Sequence, residues 1–221
     1  MLLTNTWSIR EVIAFPTLRP LPWQVENQQQ FVRSQTKETS KPAKKADLPS
    51  RAAAEELLTK HIQNEKLRHH AQMVAQAMEA YARTLGEDSE LWYQAGLLHD
   101  LDWEEFPDEH PNKALTEWLS EYPQVLKDAI AAHAPDRTGK QPETRIERYL
   151  FACDELSGFL HAYSLMRPQG FAGMKASSVT KKLKDVSFAG GVNRDDVARG
   201  FALIDTEPSE HISFLIEVFG K

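Results

Sequence analysis

An all-α fold with a flexible amino-terminal extension is what this sequence predicts, on three observations. From Ser50 onward, apolar residues recur at spacings of three and four, the period of a helix face. No alternating apolar and polar run after residue 50 is long enough to make a central strand, and the breaks between periodic segments fall on glycine and proline. Residues 16–50 lack this patterning: FPTLRPLPW, then QVENQQQ, then RSQTKETSKPAKKADLPS carry no apolar period, so 24–50 reads as a flexible linker.

Taken in order, Ser50 offers its hydroxyl as the N-cap of a first helix through AAAEELLTKHI. Residues 66–85 make the second, with Met73, Val74, Ala77, Met78 and Tyr81 on one face and Gly86 as its stop. Helices over 88–100 and 111–121 follow, separated by Pro107 and Pro111. Pro123 opens a helix over 123–133 whose apolar face is Leu126, Ala129 and Ile130, and the APDRTGKQP stretch at 134–142 interrupts the pattern. A long helix over 143–165 carries Leu150 and Phe151 and is closed by the RPQG turn at 167–170. Helices over 177–184, 193–204 and 208–219 complete the chain, with Gly190-Gly191 between the first two.

Composition narrows the class of function. A length of 221 residues allows one sizeable core, or one domain plus an extension, and 41% hydrophobic residues is the content of an ordinary soluble protein. Apolar stretches are broken by charge within a few residues and the amino terminus lacks the layout of a secretory signal, so no membrane span and a cytoplasmic location are expected. The single cysteine, Cys153, has no partner for an internal disulfide and no basic residue near it in sequence, and is read as a small buried residue. A net charge of −6 argues against a surface that grips nucleic acid. It leaves room for a small phosphorylated substrate if a metal supplies positive charge locally.

Against this background, several ionisable residues continue apolar stripes and are therefore turned inward. His70 lies on the face of Met73 and Val74, His133 on that of Leu126, Ala129 and Ile130, and Asp154 on that of Leu150 and Phe151; the doublet His99-Asp100 closes another apolar segment. An unpartnered carboxylate in a core costs several kcal/mol or neutralises itself by a shifted pKa. Convergent histidines and aspartates are most economically explained by a shared divalent cation.

Residues 54–219 resemble the HD-domain metal-dependent phosphohydrolases. The resemblance is carried by His70 in LRHHAQMVAQAM, the doublet in AGLLHDLDWEEFP, His110 in DEHP, His133 in AIAAH and Asp154 in FACDELSGFLHAYSLMRP, in that order. SSVTKKLKD and FAGGVNRDDV extend it towards a bacterial subgroup of small stand-alone HD proteins. It implies an HD-domain helical bundle over 51–221 in which His70, His99, Asp100 and Asp154 hold a first metal. His110 and His133 would add a second, with Asp100 as the bridge and as a catalytic residue. The donor set suits manganese, iron, nickel, zinc or magnesium, one ion or two. The reaction implied is hydrolysis of a phosphomonoester or phosphodiester, nucleotide-like in size, by metal-activated water. Asp102 and Glu104 follow the doublet closely enough to anchor the ligands or give a proton to the leaving group.

Other residues have plainer readings. His69 points about 100° away from His70 and faces solvent. His61, His161 and His211 have no metal-like context and are read as surface or satisfied structural histidines. Lys181, Lys182 and Lys184 form a solvated face or meet substrate phosphates, and Arg167 clamps a phosphate or pairs with a carboxylate. Trp92, Trp103, Phe106 and Trp118 are core or pocket-wall residues, and Glu155, Ser157 and Gly158 border Asp154 without a spacing argument for a role.

Residues 1–23 fall outside the HD pattern. SIREVIAFPTLRP resembles the carboxy-terminal end of a class II lysyl-tRNA synthetase catalytic domain, as the tail of a fused synthetase or as a relic. The three class II motifs that hold ATP and lysine are not in this sequence, so aminoacylation is not expected of it. Two rivals to the hydrolase stand beside these readings. One is a non-catalytic HD-fold module that binds metal or nucleotide, attached to a synthetase; the other is a di-iron HD-type oxygenase.

Overall fold

The computed structural model describes residues 48–221, and every regular element among them is helical. Helix α1 spans Arg51–His61 and is capped by the Ser50 hydroxyl, which accepts from the Ala53 N–H at 3.2 Å. Asn64 caps α2 (Glu65–Leu85), which ends where Gly86 takes the left-handed conformation at φ 72°. Asp88 caps α3 (Ser89–Leu98) by accepting from the N–H groups of Glu90 and Leu91. After a stretch of turns come α4 (Gln124–His133), the single turn α5 (Pro135–Thr138) and the long α6 (Arg145–Leu165). The chain closes with α7 (Ala176–Leu183), α8 (Arg194–Leu203) and α9 (Pro208–Phe219). No helix of the described residues is long and apolar enough to cross a membrane.

Helix α6 lies at the centre, packed by α2, α3, α4, α8 and α9. Its apolar residues Leu150, Leu156, Phe159 and Leu160 are fully buried with Val74, Met78, Leu97, Leu98, Leu126 and Ile130. Glu147 fixes where α6 begins: its carboxylate accepts from the N–H groups of Glu143 and Thr144 at 2.7 and 2.9 Å. Two glycines set the closest approaches. A Cβ on Gly96 of α3 would lie 2.8 Å from the Ala75 Cα of α2, and one on Gly200 of α8 would lie 2.9 Å from the Ala152 Cα of α6.

Three expected boundaries move. The segment expected as a helix over 111–121 is a π-helical turn, Ala114–Trp118, marked by the Leu119 N–H donating to the Ala114 carbonyl at 2.8 Å. Its cause lies twelve residues back: the buried Asp102 carboxylate captures the Ala114 N–H at 2.8 Å, which takes that donor out of an ordinary helical ladder. Helix α3 stops at Leu98, leaving His99 as its cap and Asp100 in the turn beyond. The interruption expected at 134–142 contains the turn α5, because Pro135 at its first position needs no N–H partner. The segment resembling lysyl-tRNA synthetase and nearly all of the linker expected at 24–50 lie outside the described residues.

Candidate metal centre

The six inward residues meet beside the middle of α6. His70 projects from α2, His99 and Asp100 follow the last turn of α3, His110 comes from the turns after it, His133 ends α4, and Asp154 lies midway along α6. They form two groups that share Asp100. In the first, the Nε2 of His70 lies 2.9 Å from Asp154 Oδ1 and 3.9 Å from Asp100 Oδ2, while the Nε2 of His99 lies 3.3 Å from each of those oxygens. In the second, Asp100 turns its other oxygen, Oδ1, to the Nε2 atoms of His110 and His133 at 3.5 and 3.7 Å.

Ring tautomers follow from what holds each imidazole. His99 Nδ1 donates to the Gly96 carbonyl at 2.7 Å and His133 Nδ1 to that of Ile130 at 2.5 Å. His110 Nδ1 donates to Asp102 Oδ1 at 2.7 Å. In the neutral rings every Nε2 therefore carries a lone pair, and all three are aimed at Asp100. The Nε2 atoms of His110 and His133 stand 3.1 Å apart with both Nδ1 atoms already committed as donors, so two lone pairs face each other. Among the described residues His99 Nε2 is fully buried without a hydrogen-bond partner.

These are the marks of a site arranged for cations. Donor atoms about 2.1 Å from a common ion lie about 3.0–3.4 Å from one another, close to the spacings seen here. Electrostatics agree. Burial alone would lower the pKa of His99, but the carboxylates of Asp100 and Asp154 outweigh it and hold the imidazole well above its ordinary value. Burial would likewise raise both aspartates, and the surrounding imidazoles, His99 foremost, hold them well below the usual carboxylate range. Both shifts call for positive charge at the same point.

The groups border a cavity of about 470 Å³ whose wall includes Trp103, Arg137, Glu155, Gly158, Asn193 and Asp196. Glu155, half-buried beside Asp154, has its pKa pushed up to about 7, first by burial and then by the Asp154 charge. Asp102 is fully buried and grips His110 and the Ala114 N–H, so it is an anchor of the centre rather than a donor to a leaving group. Glu104 corrects the expectation that paired it with Asp102: its carboxylate accepts from the N–H groups of Gln63 and Asn64 at 2.8 and 2.9 Å, at the start of α2 and off the cavity wall.

The remaining expectations sort in the same way. His69 is exposed, and His211 is buried between the Tyr81 hydroxyl and the Ala152 carbonyl. Arg167 neither clamps nor pairs; its guanidinium donates to the Gly170 and Ala172 carbonyls and closes a turn. Lys182 holds Asp185, and among the described residues no lysine lines the cavity. Ser157 donates to the Cys153 carbonyl inside α6. Arg137, Asn193 and Asp196 were missed. Ala134, at φ −120° and ψ 64°, breaks the helix between His133 and Arg137, so no helical spacing in the sequence links the two.

A helical scaffold around shared histidines and aspartates defines a protein fitted for divalent cations. Residues 67–158 match the family model of the HD domain, a stretch that contains all six residues of the cluster. The chain thus carries an HD domain, and proteins with this domain are in general metal-dependent hydrolases. Neither a search of curated proteins nor one of solved structures returned a match.

Proposed function

We propose that this chain is a metal-dependent phosphohydrolase acting on a small, nucleotide-like phosphomonoester or phosphodiester. His70, His99, Asp100 and Asp154 hold one divalent ion, and Asp100, His110 and His133 a second. The observation that carries the reading is that Asp100 presents Oδ2 to one group of imidazoles and Oδ1 to the other. A bound divalent ion supplies an acidified water and neutralises phosphoryl oxygens. The chain supplies orientation. The Gly96 and Ile130 carbonyls and the Asp102 carboxylate fix the rings of His99, His133 and His110, so their lone pairs need no reorganisation. The open cavity beside the cluster gives a phosphate ester access to it, as a catalytic rather than a closed structural site requires.

The test is elemental analysis of the purified full chain with a screen of phosphate release from nucleotides and an aryl phosphate under several divalent ions. One or two metals per chain, with release abolished in Asp100→Ala, is the expected result. A chain that carries metal yet hydrolyses none of these esters would overturn the reading in favour of a binding module.

A further inference from the structure

We infer that Arg137 is the anion anchor of this cavity, a binding residue whose guanidinium takes a phosphoryl oxygen of the substrate on the His110 and His133 side. The inference rests on the phosphohydrolase reading for the identity of the anion. Among the described residues the cavity wall carries five carboxylates, those of Asp100, Asp136, Asp154, Glu155 and Asp196, and Arg137 is its one arginine or lysine. For an anionic substrate entering here, that guanidinium and the imidazole cluster are the groups on the described wall that can offset the carboxylates.

How Arg137 is held matters more than its charge. Its Nη1 donates to the Pro107 carbonyl at 2.7 Å and lies 3.5 Å from that of His110. The guanidinium sits 5.3 Å from the centre of the Trp103 ring, and Trp103 in turn meets the His110 ring edge-on at 4.9 Å. A neutral carbonyl and an aromatic face position the group without neutralising it. Arg51, Arg83 and Arg145 each pair with a glutamate, whereas Arg137 makes no ion pair among the described residues, although Asp136 adjoins it in sequence. Its Nε and Nη2 donate to no protein acceptor there. A guanidinium has five N–H donors in a planar fork, and the unused pair matches two oxygens of a phosphoryl group.

The competing role is a clamp on the turns that carry His110, through the Pro107 carbonyl. The two roles separate in calorimetric titration of inorganic phosphate into the metal-loaded full chain and its variants. Arg137→Gln is expected to weaken phosphate binding about tenfold or more, the equivalent of one charge-assisted hydrogen bond. Arg137→Lys should recover part of the loss, because it keeps the charge without the fork. Metal content and melting temperature should match the parent in both variants, and with an aryl phosphate the loss should fall mainly on KM. Unchanged phosphate affinity in Arg137→Gln, no phosphate binding by the parent chain, or a variant that loses metal would overturn the anchor. A parent chain that binds phosphate through Arg137 but hydrolyses nothing would overturn the hydrolase reading and leave the anchor standing.

Discussion

Replacing Gly96 with alanine sets two effects of opposite sign against each other in the helix that leads to the metal centre. Alanine in a helix interior is favoured over glycine by about 1 kcal/mol. The new Cβ, however, would stand 2.8 Å from the Ala75 Cα, 2.9 Å from the Ala75 nitrogen and 2.9 Å from the Val74 carbonyl carbon. Carbon atoms pack best at about 3.5–4.0 Å, so α2 and α3 must part by several tenths of an ångström or more. All three atoms are backbone, and no side-chain rotation relieves them. Overpacking costs about 1–3 kcal/mol, and a rigid neighbour puts this case at the upper end. The net expectation is a loss of about 2 kcal/mol, or about 4–8 °C in melting temperature for a domain of this size. His99 lies three residues further on with its Nδ1 bonded to the Gly96 carbonyl, so metal affinity should fall as well. Gly158→Ala is the control: its Cβ would meet nothing closer than 3.8 Å, so propensity wins and the chain should gain about 0.5–1 kcal/mol. Thermal melts of both variants with and without chelator decide it, and a Gly96→Ala chain as stable as its parent would refute the close-approach argument.

Three further outcomes follow from the same geometry. His211 is buried with its pKa lowered to about 4, chiefly by burial. The unfolded chain therefore takes up that proton first, at about 6.5, so stability is full above that pH and falls by about 3 kcal/mol on acidification to 4. The difference between parent and His211→Gln melts across that window isolates the effect, and a parallel pH dependence in the two would refute it. Asp102→Ala removes the acceptor that fixes His110 and should weaken metal binding about 10–100-fold, measured by competition with a chelating dye. Chelation should lower the parent's melting temperature, by the equivalent of about 2.7 kcal/mol when free metal had stood a hundredfold above its Kd. Asp100→Ala should show no such drop.

Much of the helix order could be read from the sequence because burial in an all-helical protein is written in a single period. The stripe of Met73, Val74, Ala77 and Met78 that fixes α2 also fixes the direction of His70, and the same logic carried His133 and Asp154 inward. The reasoning failed where tertiary contacts decide the backbone. Nothing in the spacing of Asp102 and Glu104 says that one accepts from Ala114, twelve residues on, while the other reaches back to cap α2. The π-helical turn follows from the first of those contacts. The wall opposite the cluster was illegible for a related reason. Arg137 sits in a stretch that reads as an interruption and Asn193 at the start of a distant helix, and only the fold brings them to one cavity.

The six candidate ligands come from α2, from the end of α3 and the turns beyond it, from α4 and from α6, while α7, α8 and α9 contribute none. A cation bound there is a cross-link among the first group of elements and a bystander to the last. Its binding energy opposes those opening motions that draw α2, α4 and α6 apart, and leaves the fraying of α8 and α9 untouched. Amide exchange followed with and without metal should therefore slow in one half of the bundle and stay constant in the other, and the boundary between the two would trace the reach of the centre through the protein.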